Sequence, residues 1–250
     1  MSRARTQARG GRSAAACYDP PVKPRQVLAT ATTPEGGLLE LVRDAVGWNI
    51  DCDKRVLMTS QTHGSERAMA RVACHHVSSQ ASPRVLIGGL GLGYTLRAAL
   101  DRLPEQASVV CVELMEAIVE WHAGPLGPLA EHPTADPRVE VVVADVVEHL
   151  QRETGDFDAI LLDVDNGPIP MTVYSNGWLY TAEGLARLRG LLRPGGVLVV
   201  WSAGDDERFA RRMRTAGLET EVSRVQARTG RRKRRGGGHA HVLFVGRRAP

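Results

Sequence analysis

The run Arg84-Val-Leu-Ile-Gly-Gly-Leu-Gly-Leu-Gly-Tyr-Thr-Leu-Arg97 constrains this chain most, because an apolar strand breaks into closely spaced glycines and then resumes as a helix. Gly88, Gly89, Gly91 and Gly93 lack a Cβ, so the backbone can turn tightly there and lie against a ligand. A helix from about Tyr94 aims its N–H groups and its dipole at the same place. Such a turn cradles a nucleotide, but it does not by itself choose among dinucleotides, flavins and sulfonium nucleosides.

The strands that follow narrow the choice. Ser108-Val-Val-Cys-Val-Glu113 is an apolar run closing on a carboxylate, and Val139-Glu-Val-Val-Val-Ala-Asp145 repeats the design. In a doubly wound sheet the carboxyl ends of neighbouring strands line one crevice, so Glu113 can bond ribose hydroxyls and Asp145 can accept from an adenine amino group. Each acid has a plainer reading as the N-cap of a helix after a buried strand. A fourth strand, Phe157–Asp163, ends at Asp163-Val-Asp165-Asn-Gly-Pro168, and a fifth, Val197–Trp201, follows a predicted turn at Arg193-Pro-Gly-Gly196. Periodic segments near Met115–His122, Val146–Arg152, Thr181–Leu192 and Asp205–Ala216 supply crossover helices. The alternation predicts a Rossmann-like, doubly wound α/β fold with a mainly parallel sheet.

In this order the residues resemble the spermidine synthase (polyamine aminopropyltransferase) family, which shares the core of the class I S-adenosylmethionine-dependent methyltransferases. The resemblance runs from about Gln26 to Trp201 and rests on the Ile87-Gly-Gly turn, Asp136-Pro-Arg-Val-Glu-Val-Val-Val143, Leu179-Tyr-Thr-Ala-Glu183 and Leu192-Arg-Pro-Gly-Gly-Val197. It implies a disordered basic tail over 1–25, a small N-terminal β-domain over 26–60 and a nucleoside-binding catalytic domain over 61–250, closed by an antiparallel hairpin at about Glu219–Arg228 and His239–Gly246.

The same resemblance implies transfer of an aminopropyl group from decarboxylated S-adenosylmethionine to an amine. Asp163 matches the first acid of the family's Asp-Ser/Thr-x-Asp-Pro turn and is the implied base. Asp165 and Glu66 are implied amine anchors, Glu66 falling at the family's Tyr-His-Glu position. Trp178 and Tyr180 follow the Asp163 turn where a lid over the substrate is expected, with aromatic core packing as the plainer reading. The family commonly forms dimers or tetramers, which implies a homo-oligomer.

Two departures keep a second chemistry open. Gly91 or Leu92 stands where the family usually holds an aspartate for the donor's amine, and Asp165 follows Asp163 by two residues rather than three. Both remove negative charge, so a methyltransferase using S-adenosylmethionine itself on a small molecule is the first alternative. The second is a non-catalytic nucleotide-fold protein that grips nucleic acid through Arg231-Arg-Lys-Arg-Arg235. Composition disfavours the latter. The formal charge is +4, but residues 1–25 hold six Arg or Lys against one Asp and the 231–235 run adds five more cations, so the remainder is acidic and suits a small cationic substrate.

At 250 residues and 43% hydrophobic content the chain can bury one sizeable core plus an appendage. Cys17, Cys52, Cys74 and Cys111 show no CxxC spacing, which fits a reducing compartment. His75-His76 diverge on a helix and His239-Ala-His241 lacks a third ligand nearby, so no metal is expected. No stretch reaches the roughly 18 apolar residues that cross a membrane, and a cytoplasmic protein is expected. Arg-rich residues 1–18 read as a tail in preference to a transit peptide.

Overall fold

Alternation along the core strands explains how this chain builds two apolar layers on one sheet. The computed structural model describes residues 24–164, 174–227 and 240–250. Strands β5 (Arg84–Gly88), β6 (Ser108–Glu113), β7 (Val139–Val143), β8 (Phe157–Leu162), β9 (Leu192–Ser202), β10 (Leu218–Gln226) and β11 (Ala240–Arg248) form a sheet in the order β10-β11-β9-β8-β5-β6-β7. Val85, Ile87, Val109, Cys111, Ala159, Leu161, Val197 and Val199 point to one face, and Leu86, Val110, Val112, Ile160, Leu162, Leu198 and Val200 to the other. Helices α1 (Gly64–Val77), α2 (Tyr94–Leu100) and α3 (Glu116–Ala123) cover the first face. Helices α4 (Val146–Arg152), α5 (Ala182–Leu191) and α6 (Glu207–Thr215) cover the second. Because both faces are covered, the central strands read as nearly continuous hydrophobic runs.

Pairs β5–β6, β6–β7, β5–β8 and β8–β9 are parallel, whereas β11 runs antiparallel to both β9 and β10. The chain leaves β5 toward β6 and later returns to its other side as β8, so the order reverses at β5 and a crevice opens at the carboxyl ends of β5, β6 and β8. The predicted turn at 193–196 differs in the structure. Arg193-Pro-Gly-Gly196 is the bulged beginning of β9, with a register shift opposite Phe157/Ala159 and Gly195 at φ +78. Arg193 anchors that entry by pairing with buried Asp158 at 3.0 Å.

The N-terminal strands β1 (Gln26–Thr32), β2 (Leu38–Arg43), β3 (Trp48–Cys52) and β4 (Arg55–Thr59) make a separate antiparallel meander in sequential order. Local chemistry sets its turns. The Asp44 carboxylate accepts from the N–H groups of Val46 and Gly47, and Asp53 and Lys54, both at positive φ, form the two-residue link from β3 to β4. Leu39, Leu41 and Ile50 from this sheet join the first core layer, which holds the meander beside the crevice.

Asp136-Pro-Arg138 is structural. Arg138 Nη2 lies 2.7 Å from Asp136, and Arg138 Nη1 donates to the carbonyls of Leu100 and Leu103, tying the start of β7 to the end of α2. The guanidinium pushes the Asp136 carboxyl down to about 2. The basic tail through residue 23 with Cys17, the Asp165–Pro168 part of the acidic turn, and the 231–235 cluster with His239 all lie outside the described residues.

Candidate active site

The glycine turn between β5 and α2 has the backbone that its sequence implied. Gly89, Gly91 and Gly93 take φ values of +91, +48 and +82. Gly89 also packs so closely that a Cβ would lie 2.2 Å from the Asp163 carbonyl oxygen. Replacing Gly89 with Ala is expected to cost at least about 2 kcal/mol from backbone strain alone and to displace Asp163. A denaturation midpoint unchanged from wild type would contradict this account of the turn.

Glu113, at the end of β6 and only 7% exposed, holds the turn from below. Its Oε2 accepts from Leu90 N at 2.9 Å and Gly91 N at 3.4 Å, and its Oε1 accepts from Met115 N at 2.9 Å. Burial raises this carboxyl, and the converging backbone N–H groups oppose the rise. Gly91 is fixed from its other side by His122, which is 1% exposed and whose Nε2–H donates to the Gly91 carbonyl at 2.9 Å. Burial lowers the His122 pKa, and the bond to the Gly91 carbonyl opposes that fall. The helix pattern around His122 carried no sign of the role.

Asp145 takes the plainer of its two readings as far as the hydrogen bonds show. It is the N-cap of α4, with Oδ1 accepting from Val147 N at 2.7 Å and Glu148 N at 3.4 Å. Gly88 is hemmed in by Val146, Leu162 and Val164 side chains, so its missing Cβ serves packing.

Across the turn, Asp163 ends β8 and accepts from Thr95 Oγ1 at 2.7 Å. Thr95 lies on α2, is 3% exposed, and was not singled out by any motif. Glu66, in the first turn of α1, interacts electrostatically with Asp163, so a residue nearly a hundred positions upstream joins the strand-end acid. Burial raises the carboxyl of Asp163 above the ordinary range, and Thr95 opposes the rise. Burial first, and the Asp163 charge second, push Glu66 up to about 7. The ring of Tyr94 faces this pair and stacks on His63 at 4.2 Å, while His63 Nδ1–H donates to the Ser60 carbonyl.

The elevation of Glu66 has a measurable consequence. A carboxyl raised from 4.5 to about 7 contributes stability that is complete below about pH 4.5 and is lost as pH rises through about 7. Glu66→Gln is therefore expected to flatten the fall in thermal midpoint between about pH 5 and 8 and to raise stability at the alkaline end by on the order of 3 kcal/mol. An identical pH dependence in the variant would remove Glu66 as the titrating group.

Tyr180 takes the packing reading that the sequence left beside the lid: it is 4% exposed and packs edge-to-face on Phe209 at 5.5 Å in the second core layer. Trp178, in the 3-10 segment Tyr174–Tyr180, is partly buried against that layer. Asp165 lies outside the described residues. Among the described residues no group of three or more His, Cys, Asp or Glu is arranged to hold a metal, and no helix is long and apolar enough to cross a membrane.

A doubly wound sheet with a glycine turn and strand-end acids at its switch point defines a Rossmann-like fold of the methyltransferase-like class, with its crevice at the carboxyl ends of the strands. Residues 65–211 match the family described as the spermine/spermidine synthase domain, which is more than half of the chain. The chain belongs to the spermine/spermidine synthase family. It is 34% identical over 158 residues to polyamine aminopropyltransferase 2 of Pseudomonas aeruginosa, covering 57% of this chain and 40% of that protein. It is 33% identical over 126 residues to polyamine aminopropyltransferase 1 of Hyperthermus butylicus, covering 46% and 39%. The matches thus span about two fifths of these curated relatives. Spermidine synthase from Thermotoga maritima superposes with a TM-score of 0.69 at 18% identity, covering 89% of this chain and 73% of that one. A spermidine synthase bound to the transition state analogue AdoDATO gives 0.68 at 18% identity, covering 89% and 72%. These two likenesses show the shared fold.

Proposed function

We propose that the protein transfers an aminopropyl group from decarboxylated S-adenosylmethionine to a small amine. The observation that carries this reading is the Glu66–Asp163 carboxylate pair beside the glycine turn, because two half-buried acids suit a cationic amine and neither suits the carboxylate of S-adenosylmethionine. The names of the aminopropyltransferase relatives support the same chemistry. The turn over Gly88–Gly93 would hold the nucleoside, with Glu113 at the ribose and Asp145 at the adenine edge. Asp163 would accept the proton of the attacking nitrogen, and Glu66 and Asp165 would hold the cationic amine. Trp178 is retained as a candidate wall of the acceptor site.

The amine must lose a proton before its lone pair can attack the carbon next to the sulfonium. Asp163 is suited to accept it, because burial raises its proton affinity. The new N–C bond forms as the C–S bond breaks, and the sulfur leaves as the neutral thioether methylthioadenosine. Leu92 is buried and Met58 stands over Gly91, so the turn itself brings no acid to the donor's amine. That charge therefore has to come from the Asp163 side of the crevice. The reading extends to a homo-oligomer, supported by exposed Val27, Leu38, Val56 and Leu57 on the N-terminal sheet, and to a cytoplasmic location with its water-soluble substrates.

The test is mass spectrometry of the purified protein incubated with decarboxylated S-adenosylmethionine and putrescine or spermidine. Methylthioadenosine together with an amine heavier by one aminopropyl unit is the expected product pair. Methylated amine from S-adenosylmethionine, with no aminopropyl product, would assign methyl transfer instead.

A further inference from the structure

A hydrogen-bonded chain leads from the carboxylate pair to the start of β11, along the carboxyl-end rim of the sheet. Ser65, at the start of α1 and with no exposed surface, has its Oγ 2.7 Å from Glu66 Oε2 and 2.8 Å from His241 Nδ1. Ser65 and His241 are 176 residues apart, and three features of the fold bring them together. Gly64 N donates to the Ala227 carbonyl at 2.8 Å, just past the end of β10. A Cβ on Gly64 would lie 2.5 Å from the Gln226 carbonyl oxygen, so only glycine lets α1 begin this close to the hairpin. His241, on β11, pairs in register with Val225 and is braced edge-to-face by Trp201 of β9 at 4.7 Å. Its ring is partly exposed, whereas Ser65 is sealed.

We infer that Glu66, Ser65 and His241 form a proton exit from the active site, a conclusion that rests on the aminopropyl-transfer reading above. Each transfer consumes an amine that arrives as an ammonium ion, and the proton it gives up must leave the carboxylate pair before another turnover. The pair is half-buried, and beside direct loss to water a hydroxyl within 2.8 Å of both neighbours offers its proton a fixed path.

The transfer balances without any further reactant. With the proton on Glu66, the Glu66 O–H donates to Ser65 Oγ and the Ser65 O–H donates to the lone pair of His241 Nδ1. The Glu66 O–H bond breaks as a new O–H bond forms on Ser65. The original Ser65 O–H bond breaks as an N–H bond forms on His241. Afterwards Glu66 is a carboxylate accepting from Ser65, and His241 is an imidazolium that donates through Nδ1; its other ring nitrogen gives up a proton, and a ring flip turns that deprotonated nitrogen back to Ser65 for the next turnover. The groups facing Glu66 from its surroundings are Asp163 at the end of β8 and Tyr94 of α2, with Arg67 of its own helix acting on Tyr94. Ser65 is hydrogen-bonded to both Glu66 and His241 and so is the link between them.

The test compares turnover of the full chain with its His241→Leu, His241→Gln and Ser65→Ala variants, using decarboxylated S-adenosylmethionine with putrescine or spermidine, whichever the wild type accepts. A relay predicts that kcat falls roughly 10-fold or more in all three, with the donor dissociation constant unchanged. Glutamine separates a relay from a merely positional role, since its amide can still donate to Ser65 but cannot take up and release a proton. Wild-type kcat in His241→Gln would overturn the relay. In His241→Ala, added imidazole should restore the rate, and more basic imidazoles should restore it further. Ser65→Ala removes one buried hydroxyl, so it remains informative if the histidine variants fail to fold, and wild-type kcat in that variant would also overturn the proposal. Failure of the wild type to transfer to any amine would instead defeat the aminopropyl reading, and the relay would fall with it.

Discussion

Asp163→Asn is expected to slow transfer by roughly 10² to 10⁴-fold while leaving affinity for methylthioadenosine, the nucleoside that carries no aliphatic amine, within a factor of about two. The substitution keeps the size of the side chain, and the amide oxygen can still accept from Thr95 Oγ1, which lies 2.7 Å away in the native protein. What disappears is the ability to take a proton. Nucleoside binding survives because the glycine turn is held by Glu113 and His122, neither of which touches Asp163 through a described hydrogen bond. A second readout comes from Glu66. Its pKa of about 7 owes part of its elevation to the Asp163 charge, so it should fall in the variant and can be followed by carboxyl-carbon NMR. Single-turnover rates equal to wild type would remove Asp163 as the base, whatever happened to Glu66.

Glu113→Ala should be costlier to the whole molecule. The native carboxylate accepts from Leu90, Gly91 and Met115, and at 7% exposure water cannot replace it freely. Leaving buried N–H groups without an acceptor costs about 1–3 kcal/mol each. A total near 3 kcal/mol would lower the thermal midpoint by roughly 6–12 °C in a chain of this size. The turn would then lose its fixed shape, and affinity for any adenosyl ligand should fall at least about 10-fold, through lost preorganisation as well as the lost ribose contact. Glu113→Gln isolates the charge from the shape, because its oxygen can still serve Leu90 while its amide N–H₂ opposes the Met115 N–H. Unaltered stability and affinity in both variants would sink the assignment.

The parts of this protein that were legible in its sequence are those written in local pattern. β6 spans Ser108–Glu113 and α4 spans Val146–Arg152 as read from the apolar runs, since strand burial on both faces and helical periodicity leave direct traces. The positive φ angles of Gly89, Gly91 and Gly93 were equally foreseeable, because close spacing of glycines after a strand has few other uses. Asp145 shows where local pattern becomes ambiguous, for an acid at a strand end can cap the next helix or meet a ligand, and the cap is visible here. Tyr180 had two readings because its position after the acidic turn says nothing about which way its ring points, and the structure shows it packed on Phe209. Thr95, His122, Ser65 and His241 were not legible at all. Each acts through a partner brought close only by the sheet order, such as Ser65 and His241 at a separation of 176 residues. Long-range pairing of single polar groups leaves no periodic signal in a chain.

The choice of donor tests the central claim most directly, and paired calorimetric titrations with decarboxylated S-adenosylmethionine and with S-adenosylmethionine itself measure it. In the proposed site the Glu66–Asp163 pair faces the donor with negative charge, so the decarboxylated form should bind at least about 10-fold more tightly, a difference near 1.4 kcal/mol. Tighter binding of S-adenosylmethionine would contradict aminopropyl transfer and turn attention to methyl transfer in the same crevice.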